Sequence, residues 1–488
     1  FLYKMELPEW LHFLISSHQW LDAIDGNLET AALKIAGKLL LESGSSTKRI
    51  DPGINLKGFH QFIVQQPPNF VGRNSELSIL NKSLSAIEAS HDDKEFKFPV
   101  LLSVKGRAGV GKTSLVSTFL KGIKSQQNNW LSISAEANEN HIAYMLWARV
   151  VAELAGWKTG SDNLKDSLEK SLGRSFNDEL LEDTALLLPL QSNRGSATPP
   201  ERKELFARVS GFIADLLITS FHQGRNILFL DNLHWADSGS MEMLRDILAK
   251  LEGIPLLIIL SYRPERPNGT PVEIPLLEHI ATKKEIMLEP LRTKESIELL
   301  TRLIDTDSFD KDSVSAMAET TGGYPLHLKL IANARNNQRV SYSENELSDL
   351  QLLIQKNYDR LPEGRRLIIQ ALSVLGGEAP VQLVLDTVST KPALGKSVLL
   401  QNDDFAVRKQ TSFADTLVFR HDLFKEAVYD TMGADSRKNF HLRAAVLLEG
   451  IHQSDSRFSS VISKHWRKAG NNQSALDHAA SYLNHVNT

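Results

Sequence analysis

The chain has 488 residues, 42% hydrophobic and 23% charged, with a formal net charge of −4. This is the balance of a soluble globular protein long enough for two to four domains, and it gives no general argument for nucleic-acid or acidic-lipid binding. Cysteine is absent, which removes disulfides, thiolate zinc sites and cysteine nucleophiles and suits a reducing compartment. The longest apolar runs are short, as in Ile254 to Leu260, so no membrane span is expected and the expected location is cytoplasmic. The sequence opens at Phe1 with no signal-peptide pattern, so it is read as a piece of a longer chain.

Residues 1–66 read as a mostly helical extension, with helical spacing from Leu7 to Leu41 and loose alternation from Ile54 to Val64. The LKGF at 56–59 resembles the last strand of class III cyclase domains, but no chemistry is visible here and the segment is read as packing. Pro67-Pro68 marks a boundary. A helical run to Ala89 follows, then a charged loop from His91 to Lys97.

Phe98 to Val104 is a short apolar run that predicts a buried parallel strand. Gly106-Arg107-Ala108-Gly109-Val110-Gly111-Lys112-Thr113 comes next, and it fits the phosphate-loop pattern G-x-x-x-x-G-K-[ST] at every position. Ser114 to Lys121 has helical apolar spacing. In a strand–loop–helix of this kind the backbone N–H groups of Gly106, Gly109, Val110, Gly111 and Ser114 turn toward phosphate oxygens at the positive end of the helix. Lys112 is expected to reach the β- and γ-phosphates and Thr113 to bind Mg²⁺.

Trp130 to Ser134 alternates as a strand, and His141 to Ala155 is helical. Residues 156–202 are polar apart from Ala185 to Leu190, and read as an insertion or long loop with one or two helices. Glu204 to His222 is a helix, Asn226 to Leu230 a buried strand ending in Asp231, Ser240 to Leu251 a helix, and Pro255 to Ser261 a strand followed by Tyr262-Arg263. Ile286 to Leu288 is shorter. Strands alternating with helices predict an α/β fold, a P-loop NTPase with a parallel sheet covered by helices on both faces.

From Thr293 the spacing is helical. The expected division is a nucleotide domain at 67–290, a helical lid at 291–345, a winged-helix domain at 346–435 and the start of a helical repeat region at 436–488. Phe424 to Leu448 reads as one helix, and Val461 to Val486 as a helical hairpin turning at Gly470-Asn471-Asn472.

Asp231, at a strand end downstream of the phosphate loop, is where a carboxylate holds the magnesium shell. Asn232 follows it, where many ATPases of this build have a second acid. An asparagine orients water but cannot take its proton, so slow hydrolysis is expected unless Asp237 or a partner supplies the base. Asp237 is also placed to cap the helix near Ser240. Arg263, at the next strand end, is expected beside Asp231, free to sense the γ-phosphate or to pair with Glu265. No NKxD motif follows the phosphate loop and no HExxH or GxSxG is present, which disfavours GTP, zinc hydrolysis and a serine elbow. No basic recognition helix is evident, so the winged helix is expected to pack and not to bind nucleic acid.

Taken together, these segments resemble the STAND group, the signal-transduction ATPases with numerous domains, a branch of the AAA+ superfamily. FVGRNSEL at 70–77 resembles the opening segment that lies against adenine, which assigns Val71 and Arg73 to nucleotide binding. LFLDNLHWAD at 228–237 resembles the Walker B segment with Asn232 replacing the second acid, and SYRPE at 261–265 resembles the segment that ends in the sensor arginine, here Arg263. GGYP at 322–325 resembles the element whose proline, here Pro325, packs near the nucleotide. FRHDLFKEAVY at 419–429 resembles the MHD segment, with Arg420 replacing Met. The resemblance implies that His421 contacts the β-phosphate of ADP. HWRKAGNNQSALDHA at 465–479 resembles a first tetratricopeptide-like repeat, so more repeats are expected to follow. The implied mechanism is a switch: closed and monomeric with ADP, opening and self-associating with ATP or on a signal received by the repeats, with Lys112, Asp231 and Arg263 serving slow hydrolysis. A turnover motor and a scaffold with structural ADP are the alternatives.

Overall fold

The structure, a computed structural model, describes residues 70–487 apart from 90–98, 124–129, 137–141, 158–162, 189–201, 225, 266–270, 273, 275–282, 305–310, 337–348, 389–404, 411–414 and 453–457. The extension expected at 1–66, the charged loop and most of the linker after Asn336 lie outside the described residues.

Five parallel strands form the first sheet: β1 (Val100–Lys105), β2 (Trp130–Ser134), β3 (Ile227–Asp231), β4 (Leu257–Tyr262) and β5 (Lys283–Met287), in the order β2-β3-β4-β1-β5. The three central strands are buried along their length, except for Lys105 at the end of β1, as their unbroken apolar runs require. Alternate residues feed two cores. Leu101, Leu228, Leu230, Ile258 and Leu260 face one cluster; Leu102, Phe229, Ile259 and Ile286 face the other. Helices α1 (Asn74–Ala89) and α2 (Lys112–Gly122) cover the second face. Helices α3 (Met145–Ala155), α4 (Leu164–Leu172), α5 (Asp178–Leu187), α6 (Arg202–His222) and α7 (Ser238–Lys250) build the first.

Two of those helices come from the polar stretch at 156–202. Its sparse apolar residues are enough, because Leu164, Leu168 and Leu172 recur every four residues and are all buried. Asn163 and Asn177 cap the two helices by accepting from Lys165 N and Glu179 N. The described part of this segment therefore packs into the main core. Helix α6 is, by length and composition, apolar enough to cross a membrane, which the count of short apolar runs overlooked. Its apolar stripe, including Leu205, Val209, Phe212 and Leu216, is buried in the cluster on that side of the sheet, as in a core helix.

Three lid helices follow: α8 (Thr293–Leu303), α9 (Lys311–Thr320) and α10 (Pro325–Asn336). A hairpin module comes next: α11 (Leu350–Asp359), α12 (Glu363–Val374), β6 (Glu378–Pro380), α13 (Val381–Val388), β7 (Ala406–Gln410), β8 (Asp415–Phe419) and α14 (Asp422–Thr431). Its antiparallel sheet has the order β6-β8-β7. Strand β6, three residues long, is too short to leave an alternation in the sequence.

The helix expected from Phe424 to Leu448 is two helices, α14 and α15 (Ala434–Ile451). Met432 is extended and buried, and Gly433, also extended, is the N-cap of α15; glycine is a poor interior residue for a helix and an acceptable N-cap. The chain ends with α16 (Ser459–Ala469) and α17 (Asn472–Asn487), joined at Gly470 in the left-handed region. The lid and the hairpin module share one apolar cluster, which also takes in Val71. Among the described residues, no buried residue of the hairpin module belongs to the two clusters that flank the parallel sheet.

Candidate nucleotide site

The phosphate loop bridges β1 and α2. Gly109 has φ +75, and a Cβ there would lie 3.1 Å from the Leu326 Cβ. The glycine thus lets the lid approach: Leu326 N donates to Gly109 O at 3.3 Å. Pro325 reaches within 3.9 Å of where a Gly111 Cβ would stand. The start of α10 is therefore seated on the loop.

Lys112 is buried, and its Nζ donates to the carbonyls of Gly106 at 2.9 Å and Arg107 at 3.1 Å. Burial, with Arg263 nearby, lowers its pKa to about 8, against the opposing pull of Asp231 and Asp422. Thr113 Oγ1 donates to Asp231 Oδ2 at 2.8 Å. Two hard oxygen donors thus meet at the foot of the loop, a set that suits Mg²⁺ completed by phosphates and water. Among the described residues no group of three or more His, Asp or Glu side chains is arranged for a metal.

Asn232 has φ +57, a conformation asparagine tolerates. Its Nδ2 donates to Ser134 Oγ at 3.2 Å across the β2–β3 edge, and its N–H donates to Asp231 Oδ1 at 2.9 Å. Asp237 accepts from Ser240 N at 2.8 Å and Tyr144 N at 3.1 Å, and also bonds Ser240 Oγ. Its carboxylate is occupied in capping α7. Arg73 pairs with Glu76 at 3.2 Å and donates to Glu289 O.

Strand β4 lies beside β3, which puts Arg263 close to Asp231 as the sequence suggested. Its partner is neither Glu265 nor a group of its own domain. Arg263 Nη2 donates to Asp422 Oδ2 at 2.8 Å, at the start of α14 in the hairpin module. Trp235 Nε1 donates to the same oxygen at 3.0 Å, and Lys425 Nζ lies 4.6 Å from the centre of the Trp235 ring. Burial works against the Asp422 charge, but Lys425 and Arg263 hold its pKa below the usual carboxylate range.

His421 precedes α14 and stands edge-on to Phe424, ring centroids 5.4 Å apart. Its side chain is exposed to solvent, although other protein groups crowd around it. Burial, then Lys329 and Arg420, lowers its pKa to about 4 against the pull of Asp422; water on the open side limits that depression. The imidazole is therefore neutral near pH 7.

The structure thus brings Lys112, Thr113, Asp231 and Arg263 to one cleft, with Pro325 on its loop. Trp235, Asp422 and Ser134 were not singled out as site residues from the sequence. Trp235 lies four residues after the strand-end Asp231, and Asp422 stands beside His421 in the MHD-like segment, so both left a signal in the sequence.

Residues 69–259 match the family profile described as AAA ATPase domain. This segment is an AAA ATPase domain. It carries the phosphate loop, Asp231 and Trp235; Arg263 follows just beyond it. No curated protein matches the chain. Among solved structures, the chain is similar to a STAND protein with a tetratricopeptide repeat sensor from Pyrococcus horikoshii, at 16% identity and a TM-score of 0.49, over 84% of this chain and 50% of that one. It is also similar to the Aeropyrum pernix ORC1 protein in complex with DNA, at 13% identity and a TM-score of 0.35, over 77% of this chain and 97% of that one. Domain III of the Thermotoga maritima replication initiation protein DnaA is a third, at 11% identity and a TM-score of 0.31, over 59% and 94%. The chain spans half the length of the first of these. The fold assignment of the AAA domain rests on the family match and on the sheet order.

Proposed function

We propose that this chain is an ADP/ATP-controlled switch of the STAND class, closed and monomeric with ADP and self-associating when opened. The observation that carries the reading is the Arg263–Asp422 contact at 2.8 Å, which ties the arginine after β4 to the start of α14. A module fastened to the sheet side by a few charged pairs has two positions, and the nucleotide biases them.

Each residue then has a role. Lys112 leaves the loop carbonyls for the β- and γ-phosphates, and the loop N–H groups from Gly106 to Ser114 surround the phosphate oxygens. Thr113 and Asp231 hold Mg²⁺, which when bound neutralises phosphate charge. Val71, Arg73 and Pro325 line the adenine side, and neutral His421 donates to the β-phosphate of ADP. Asn232 orients a water without deprotonating it, so hydrolysis is slow. The 346–435 module is a winged helix that closes the cleft, the C-terminal helices receive a protein or small-molecule signal, and the switch works in the cytoplasm without nucleic acid.

Denaturing the purified protein and identifying the released nucleotide by chromatography tests this. Stoichiometric ADP in a monomer is expected. An empty site with fast turnover of added ATP would instead establish a motor, and ADP that neither ATP nor any variant displaces would establish a structural ligand.

A further inference from the structure

The residues that follow Asp231 join the phosphate loop to the hairpin module. Thr113 Oγ1 donates to one oxygen of the Asp231 carboxylate at 2.8 Å, and the Asn232 N–H holds the other at 2.9 Å. Asn232 stands in the left-handed region, and its carbonyl accepts from Trp235 N at 2.9 Å, which closes the single 3-10 turn Leu233–Trp235. Ala236 N then donates to Leu233 O at 3.0 Å. Leu233, His234 and Ala236 are buried, while Trp235 is half-buried and turned to the module. There its Nε1 donates to Asp422 Oδ2 at 3.0 Å, and Lys425 Nζ lies 4.6 Å from the ring centre. His234 Nε2 stands 3.9 Å from the same oxygen. A turn closed by backbone hydrogen bonds and anchored by buried side chains has little freedom of its own. A displacement of Asp231 is therefore passed on to the indole.

We propose that Trp235 is the positioning residue that transmits the state of the phosphate site to the hairpin module, through its indole N–H on Asp422. The inference rests on the nucleotide-switch reading above. Arg263 and Trp235 hold the same oxygen of Asp422, and Trp235 is joined to Asp231 by the closed turn. The arginine gives the closure its strength, and the tryptophan gives it its dependence on the nucleotide. The far end of the turn serves the second charged contact of the module. Asp237 accepts from Tyr144 N at the start of α3, and α3 carries Arg149 to Glu378.

The test is amide hydrogen exchange of α14 in the full chain, read by mass spectrometry at saturating ADP and at a saturating non-hydrolysable ATP analogue. Titration with fluorescent nucleotide establishes saturation for every variant. Losing a hydrogen bond to a charged group costs about ten- to hundredfold. Wild-type α14 is accordingly expected to exchange about tenfold or more slowly with ADP than with the analogue. Trp235→Phe keeps a ring against Lys425 and removes the donor. It is expected to bind both nucleotides and to exchange at rates within about twofold of each other. Lys425→Met, which leaves the indole N–H in place, is expected to keep the wild-type ratio. A merely structural tryptophan would speed exchange equally with both nucleotides and leave the ratio unchanged; that result overturns the proposal. So does a ratio that collapses in Lys425→Met, because the ring and not its N–H would then carry the effect. Should Trp235→Phe fail to fold, the nitrogen-labelled wild type decides: the Trp235 indole resonance, identified by its shift in Asp422→Asn, is expected to move upfield when the analogue replaces ADP. An unmoved resonance overturns the relay. If the wild type responds to the nucleotide and Trp235→Phe responds equally, the relay is wrong and the switch stands. If the wild type binds neither nucleotide, or exchanges alike with both, the switch reading fails as well.

Discussion

Asp422→Asn removes one charge and almost no volume from the contact that closes the cleft. The carboxylate lies 2.8 Å from the Arg263 guanidinium, and the two side chains are 25% and 12% exposed. A fully exposed pair contributes at most about 1 kcal/mol, and breaking a fully buried one by removing a partner costs about 3–5 kcal/mol. These exposures place the loss near 2 kcal/mol, or about 30-fold in the ratio of closed to open molecules. The Asn amide oxygen still accepts from Trp235, so that bond is not part of the figure. The assay is stopped-flow release of a fluorescent ADP, with light scattering to follow mass. Release up to about 30-fold faster is expected, with larger species appearing. Arg263→Ala added to Asp422→Asn should cost little more, since both remove one interaction. Wild-type release from Asp422→Asn, or full additivity of the two variants, would refute the reasoning.

Arg149 of α3 meets Glu378 of β6 at 3.2 Å, with the side chains 12% and 4% exposed; Arg149→Met leaves a buried carboxylate and should cost about 3 kcal/mol, read as a lower melting temperature. His441 and His465 share an Nδ1–Nδ1 hydrogen bond of 3.0 Å, and His441 also bonds the Tyr429 hydroxyl at 2.9 Å. Burial first, then Lys464, Lys468 and Arg437 around them, lowers their pKa values to about 4 and about 3. Both are neutral in the fold and protonate more readily when unfolded, so stability is full above about pH 6.5 and falls below it, by about 2 kcal/mol per histidine at pH 5. Urea denaturation at pH 7.5 and 5.0 measures this, and a His465→Asn protein with an equally steep profile would count against it. Asn232→Asp keeps a residue that tolerates the left-handed backbone and restores an acid beside Asp231. ATP turnover should rise about a hundredfold, and unchanged turnover would mean the missing base is not what slows hydrolysis.

The local chemistry was legible in the sequence because its signals are local. The phosphate loop is eight consecutive residues, and the strand ending at Asp231 is a buried apolar run. Even the adjacency of β3 and β4 follows from parallel crossovers. The partner of Arg263 was not legible. Glu265 is two residues away, whereas Asp422 is 159 residues on, and only the packing of the hairpin module against the AAA domain decides between them. The same holds for Asn232, whose side chain is directed by Ser134 on the neighbouring strand. The polar composition at 156–202 hid a four-residue leucine spacing, and the apolar period running through Met432 hid a break that one glycine marks.

The division of apolar surface has a mechanical consequence. Among the described residues, the hairpin module shares its oily core with the lid and none with the two clusters of the parallel sheet. Against the sheet side it presents charges and polar tips: Asp422 to Arg263 and Trp235, and Glu378 to Arg149. A seam of this kind separates without baring a greasy face, so the parted molecule stays in solution. Because screening weakens part-exposed charges, added salt should ease the seam apart much as a ligand would.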